Sequence, residues 1–170
     1  MPTLIEIKAN CQNPTEIRAI LSANDAKFIG LDHQIDTYFK VPTGRLKLRQ
    51  GNVENTLIHY NRANQSGPKK STVALYKPQD SEALKSTLHA AMEVLVIVDK
   101  QRYIYFIGNV KFHVDEVKGL GSFVEIEAID EHDTIGEDKL LAQCRHFMEV
   151  LDIDEKDLVD CSYSDLLMGV

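Results

Sequence analysis

The stretch GRLKLRQ, Gly44 to Gln50, sets three cations, Arg45, Lys47 and Arg49, on alternate residues with Leu46 and Leu48 between them. As a β-strand it turns the cations to one side and the leucines to the other. Which side is the interior decides the fold. If the leucines face the core and the cations face water, this is an ordinary half-buried sheet. If the leucines pack under helices instead, the cations line a polar interior fit for an anion.

The same alternation recurs on four more segments. Glu6 and Lys8 stand opposite Ile5 and Ile7, and Lys100 and Arg102 share a face. Lys111, His113 and Asp115 stand opposite Phe112 and Val114, and Glu125 and Glu127 stand opposite Val124, Ile126 and Ala128. A solvent face ordinarily mixes in Ser, Thr and Gln, whereas these stripes are charged, and helices need an apolar sheet face to pack on. A closed sheet with helices outside satisfies both demands. On the residues alone it stands level with the open sheet.

Working outward, TLIEIKA, RLKLRQ, NTLIHYNRA, TVALYKP, VLVIVDKQRYIYFI, NVKFHVDEV and SFVEIEAI alternate as strands, and KFIGLDHQIDTYFKV precedes the turn at Pro42 to Gly44. Gly108-Asn109 joins two of them. NPTEIRAILSAND is an amphipathic helix, with Asn13 as N-cap and Pro14 in the first turn. DSEALKSTLHAAME is a second helix, capped by Asp80 or Ser81. The spacing turns helical again over His132 to Leu151, and Leu158 to Met168 forms a short helical tail. Many strands joined by tight turns, with helices between, predict an α+β fold around an antiparallel sheet, long enough to close into a barrel.

A chain of 170 residues with 44% hydrophobic and 26% charged content suits one domain, residues 1–170. Its net charge of −7 argues against a general partner among nucleic acids or membrane surfaces. Cys11, Cys144 and Cys161 show neither metal spacing nor a disulfide framework. MPTLIEIKAN lacks the apolar core of a signal peptide, and no segment is long enough to span a bilayer, so the expected location is the cytoplasm.

A tunnel lined by Lys, Arg and carboxylates has a chemical meaning. The cations neutralise phosphate oxygens, Arg bidentately. Neighbouring carboxylates repel one another unless a hard divalent cation holds them. Mg²⁺ or Mn²⁺ then bridges carboxylates to phosphates, as phosphoryl and nucleotidyl transfer require. No P-loop is present, so side chains must do the holding.

IEIKA, DTYF followed by GRLKLR, KQRYIY, HVDEVKGLGSFVEIEAI and SYSDLL, in that order, resemble the CYTH family of triphosphate tunnel metalloenzymes. That family includes class IV adenylyl cyclases, thiamine triphosphatases and inorganic triphosphatases. The resemblance implies a closed antiparallel barrel of about eight strands with helices outside, and so cations facing inward. By motif, Glu6, Glu125 and Glu127 match the metal-holding carboxylates, with Asp115 a further ligand. Lys8 matches the lysine that ends the ExExK motif. Lys47, Arg49, Lys100 and Arg102 match the residues that grip and turn over the triphosphate; Lys111 joins them by its face, and Arg62 and Lys77 are further candidates. Tyr38, Tyr103 and Tyr105 are expected to pack within strands, and His113 to point inward beside Asp115.

One position departs from the pattern: Leu4 stands where ExExK has its first Glu, which puts a two-metal site in question. The resemblance implies a metal-dependent enzyme with Mg²⁺ or Mn²⁺, acting on a small triphosphate such as ATP, tripolyphosphate or thiamine triphosphate. The segment LIHYNRANQSGPKKS leans it towards a class IV cyclase, forming cyclic AMP and pyrophosphate. The alternatives are a triphosphatase and a triphosphate-binding module without turnover, and a homodimer fits the resemblance.

Overall fold

The structure, a computed structural model, describes residues 1–62 and 64–170. Eight strands follow the alternating segments: β1 (Thr3–Asn10), β2 (Lys27–Phe39), β3 (Arg45–Gln50), β4 (Asn55–Asn61), β5 (Lys69–Tyr76), β6 (Val94–Ile107), β7 (Val110–Val117) and β8 (Gly121–Asp130). They close into a barrel in the order β1-β5-β4-β3-β2-β6-β7-β8, antiparallel at every seam. The last seam joins the first strand to the eighth, pairing Lys8 with Glu125 and Glu6 with Glu127.

The apolar stripes face outward. Helices α1 (Pro14–Ala23) and α3 (Glu137–Val150) lie on the barrel, and Ile17, Leu21, Leu140 and Cys144 bury Ile5, Ile7, Phe112, Val114, Val124, Ile126 and Ala128 beneath them. The main hydrophobic core therefore sits between barrel and helices, which leaves the charged stripes to the inside. Helix α2 (Ser81–Ala91) covers another part of the wall, where Gln50 Nε2 donates to Glu82 at 2.6 Å and His89 packs edge-on to Phe39. Leu48, one of the two leucines of the opening stretch, is fully buried on this outer face. Its neighbours Lys47 and Arg49 therefore point into the tunnel.

Several boundaries differ from the sequence expectation, among them the helical tail, whose helix starts at Tyr163 rather than Leu158. β5 starts at Lys69, three residues early, because the strand is held by pairing with β1 and by Lys69 Nζ donating to the Asp160 carbonyl at 2.7 Å. It ends at Tyr76, so Lys77 lies just beyond it, ahead of Pro78. β4 ends at Asn61; Arg62 lies outside it, and Ala63 of the predicted segment is outside the described residues. α3 starts at Glu137 rather than His132, because Asp130 accepts from the backbone N–H groups of Thr134, Ile135 and Gly136 and holds 131–136 as a loop. Asp80, not Ser81, caps α2.

The two ends of the barrel differ. At the end reached by Lys8, Tyr38, Val98, Val117 and Phe123, the segment before α4 (Tyr163–Met168) crosses the opening. Tyr163 packs among Tyr38, Val98, Val117 and Phe123, and the Cys161 carbonyl accepts from Lys8 Nζ at 3.0 Å. At the other end lie Pro2, Leu75, Lys77, Phe106 and Glu131, which form the mouth. Among the described residues no helix is long and apolar enough to cross a membrane.

Candidate functional site

A cavity of about 350 Å³ occupies the barrel. Lys47 and Arg49 of β3, and Lys100 and Arg102 of β6, line one wall; Glu6 and Lys8 of β1, and Glu125 and Glu127 of β8, line the wall opposite. Lys111, Arg62 and Lys77 also line it, Lys77 at the exposed mouth. Asp115 is the one predicted site residue outside this lining.

The cations are held in place by anions, of which Asp36 and Glu54 were not singled out by the sequence and Asp115 and Glu125 were expected to hold metal instead. Asp36, on β2 opposite Arg49, accepts from Arg49 Nε and Nη2 at 2.9 Å each and from Lys100 Nζ at 2.6 Å; Lys47 Nζ stands 3.7 Å away. Burial alone would raise the Asp36 carboxyl, but Arg49 and Lys100 overcome it and hold it well below the usual carboxylate range. Asp115 does the same for Arg102, accepting from Nε and Nη2 at 2.7 Å each, and also accepts from the Tyr163 hydroxyl at 2.7 Å. Glu125 takes a further bond from Arg102 at 2.6 Å. Glu54 pairs with Lys111.

Glu54 owes its place to Asp32, whose carboxylate accepts from the backbone of Val53 and Glu54 at 2.9 Å each. A Cβ at Gly51 would lie 2.4 Å from Asp32 Oδ1, so the loop requires glycine there. The alternation of Asp32, Gln34, Asp36 and Tyr38 is a signal that could have marked β2 as a second charged wall. Glu54 lies in a loop and has no such periodicity.

Burial and the neighbouring cations lower Lys100 to about 7 despite the contact with Asp36. Burial also lowers Lys8, with Glu125 opposing the shift. Lys47 is held more loosely, by the Tyr38 hydroxyl at 3.3 Å. These groups gather basic side chains around one cavity, where a polyanion is the natural ligand.

Among the four carboxylates expected to hold metal, three face cations: Asp115 and Glu125 both accept from Arg102, and Glu6 pairs with Arg62. The group that can close around an ion is His113, Glu125 and Glu127, each offering one ligand atom, all within 4.8 Å of one another. Neither ring nitrogen of His113 has a hydrogen-bond partner among the described residues, although the side chain is almost fully buried. Nδ1 stands 3.7 Å from Glu125 and 3.8 Å from Glu127. Burial and then Arg102 lower the imidazole pKa and favour its neutral, ligating form. An orphaned imidazole facing two carboxylates fits a divalent cation. Its parity on β7 was legible, but a ligand set shared between β7 and β8 needs the register His113 opposite Glu125.

Tyr38 lines the cavity, whereas Tyr103 and Tyr105 lie on the outer face against Phe28, with Arg18 over the Tyr103 ring. Leu4 is inside, on the same face as Glu6 and Lys8, in an apolar cluster with Tyr60, Val73, Ile58 and Ile129.

The model of the CYTH domain matches residues 3–163. Among solved structures the chain is similar to the PH1012 protein of Pyrococcus horikoshii OT3, at 24% identity and a TM-score of 0.81 over 96% of this chain and 98% of that one. It is similar to a putative adenylate cyclase from Vibrio parahaemolyticus, at 16% identity and a TM-score of 0.80 over 97% of each chain. A Hippeastrum protein, described as a putative adenylyl cyclase with a dominant triphosphatase activity, gives 13% identity and a TM-score of 0.66 over 99% of this chain and 96% of that one. At these identities the likeness is one of fold. No curated protein matches the sequence.

Proposed function

The chain belongs to the CYTH domain family, and from that premise we propose that its tunnel binds a triphosphate with a divalent cation and hydrolyses a phosphoanhydride bond. The observation that carries this reading is the pairing of a pinned cationic wall with the His113, Glu125 and Glu127 cluster in one cavity. Lys47, Arg49, Lys100 and Arg102 hold the phosphate oxygens and neutralise the charge that builds on the leaving phosphate. Because Asp36 and Asp115 fix Arg49 and Arg102 beforehand, little reorganisation accompanies that step. His113, Glu125 and Glu127 would hold the metal, which would supply Lewis-acid stabilisation of the phosphoryl charge when bound. An imidazole beside two carboxylates suits Mn²⁺ better than Mg²⁺, which prefers oxygen alone.

In hydrolysis, water forms the new P–O bond, the bridging P–O bond breaks, and the leaving phosphate keeps the electron pair. Cyclisation of ATP, the reading favoured by the sequence, is the second possibility; the name of the Vibrio neighbour supports it. It needs a ribose hydroxyl held beside the α-phosphorus, and the description of the Hippeastrum neighbour as a dominant triphosphatase favours hydrolysis over it.

Incubation with Mn²⁺ and either tripolyphosphate or ATP, with products separated by anion exchange, decides between them. Orthophosphate is expected. Cyclic AMP with pyrophosphate would establish the cyclase, and the absence of any product would leave a binding module. Glu127→Gln should lower metal-dependent turnover at least about 100-fold, since changes beyond the direct ligands already cost 10–100-fold. Undiminished turnover in that variant would remove Glu127 from the metal site.

A further inference from the structure

One side chain of the cavity wall carries a spare donor. Tyr60 of β4 lines the cavity and is only 5% exposed, and its hydroxyl has no hydrogen-bond partner among the described residues. Its ring packs with Leu4 and Val73. Two cations that also line the cavity flank that ring: Lys47 Nζ lies 5.3 Å and Arg62 Cζ 5.0 Å from its centroid. Burial, and then the neighbouring Tyr38, raise the Tyr60 pKa against the opposing pull of Lys47, so the hydroxyl keeps its proton and stays a donor.

A buried hydroxyl without a partner is unfavourable, and a ring needed for packing alone would serve as well in phenylalanine. The adjacent tyrosine differs, because Tyr38 Oη already accepts from Lys47 Nζ at 3.3 Å. Tyr60 stands opposite Arg45, whose guanidinium reaches Asp165 of α4, and so belongs to the closed end of the tunnel. A linear chain of phosphates that enters at the mouth arrives there by its end. A terminal phosphate has more free oxygens and more charge than an internal one, and Lys8, Lys47 and the spare hydroxyl meet it.

We propose that Tyr60 is a further substrate-binding residue, whose hydroxyl donates to an oxygen of the terminal phosphate at the closed end, a phosphate it shares with Lys47. This rests on the triphosphate reading and adds to it a preference for a phosphate chain with a free end.

Isothermal titration of the whole protein in metal-free buffer, where binding is read without turnover, compares tripolyphosphate with trimetaphosphate, a ring of phosphates that has no end. Tyr60→Phe should weaken tripolyphosphate about 10- to 100-fold, the range for a hydrogen bond to a charged group. The same change should weaken trimetaphosphate less than about threefold, or the ring should not bind at all. The melting temperature of the free variant should be unchanged or higher, since the hydroxyl has no partner to lose. Combined with Lys47→Met, the loss should fall short of the product of the two single losses by at least about threefold, because both groups hold one phosphate. Undiminished affinity in Tyr60→Phe, losses that multiply in the double variant, equal losses for chain and ring, or a lower melting temperature of the free variant each overturn the contact while the triphosphate reading stands. Failure of the unchanged protein to bind either compound overturns both.

Discussion

On β2, β3, β6 and β7 the tunnel wall is made of ion pairs, whereas towards the mouth on β8, β1, β5 and β4 it is made of Leu4, Ile58, Val73 and Ile129. Both walls come from the same two-residue alternation, so secondary structure does not distinguish them. What differs is tolerance. In the first, each buried cation is matched to a carboxylate, and a change at one member leaves its partner charged and dry. In the second, contacts are non-directional and a neighbour can shift to fill a small gap. A geometry that must not move is built from charges, and a surface that can vary between related chains is built from hydrocarbon.

The contrast can be broken first at Asp36. Asp36→Ala leaves Arg49, Lys100 and Lys47 without their shared counter-ion and should destabilise the fold by about 3–5 kcal/mol, against about 0.5–1.5 kcal/mol for Ile129→Val at the mouth. Denaturant titration of both variants checks it; equal losses would mean that the two walls are alike. The next effect is on binding. Lys47 carries no close ion pair, so Lys47→Met should weaken tripolyphosphate by about 1.5–3 kcal/mol with little change in melting temperature. A large fall in melting temperature would show that Lys47 belongs to the pinned set.

The smallest effect sharpens the comparison through pH. Free Lys100 sits at about 7, below its unfolded value, so the folded protein binds fewer protons between about 7 and 10.5 and this group adds stability as pH rises through that window. A bound polyanion restores the proton. The advantage of wild type over Lys100→Met in tripolyphosphate affinity should therefore shrink as pH rises above 7, by up to about 1.4 kcal/mol per pH unit. An advantage that stays constant from pH 7 to 9 would mean that Lys100 keeps its proton throughout.

Much of this was legible in the sequence because strands repeat every two residues and the charged stripes obey that period. GRLKLRQ, HVDEV and VEIEA each fix which residues share a face, and closing the sheet only decides which face is inside. Asp36 was less visible, since Asp32, Gln34 and Asp36 alternate without a cation among them. Glu54 was invisible, because its position follows from the clasp of Asp32 on a loop. The ligand set was only half legible: parity puts His113, Asp115 and Glu125 inside, but the register and the reach of Arg102 decide that Asp115 is occupied and His113 is not. Leu4 stood out as a mismatch, yet its meaning required its neighbours from three other strands.

The seam between β1 and β8 has a consequence for the chain during synthesis. The first strand pairs with β5 and β8 and bridges Leu158 through Ala9, so Thr3–Asn10 leaves the ribosome well before these partners, which lie far downstream. Until then the emerging strands carry outward apolar stripes without helices over them and inward charges without counter-ions. Contacts of such long sequence separation make folding slow and keep unpaired edges open to association. Lys8 waits longest, since the carbonyl that receives its ammonium group belongs to Cys161. The barrel should therefore form late and as a unit, and the interval before closure, rather than the finished molecule, is when this protein is most exposed to aggregation.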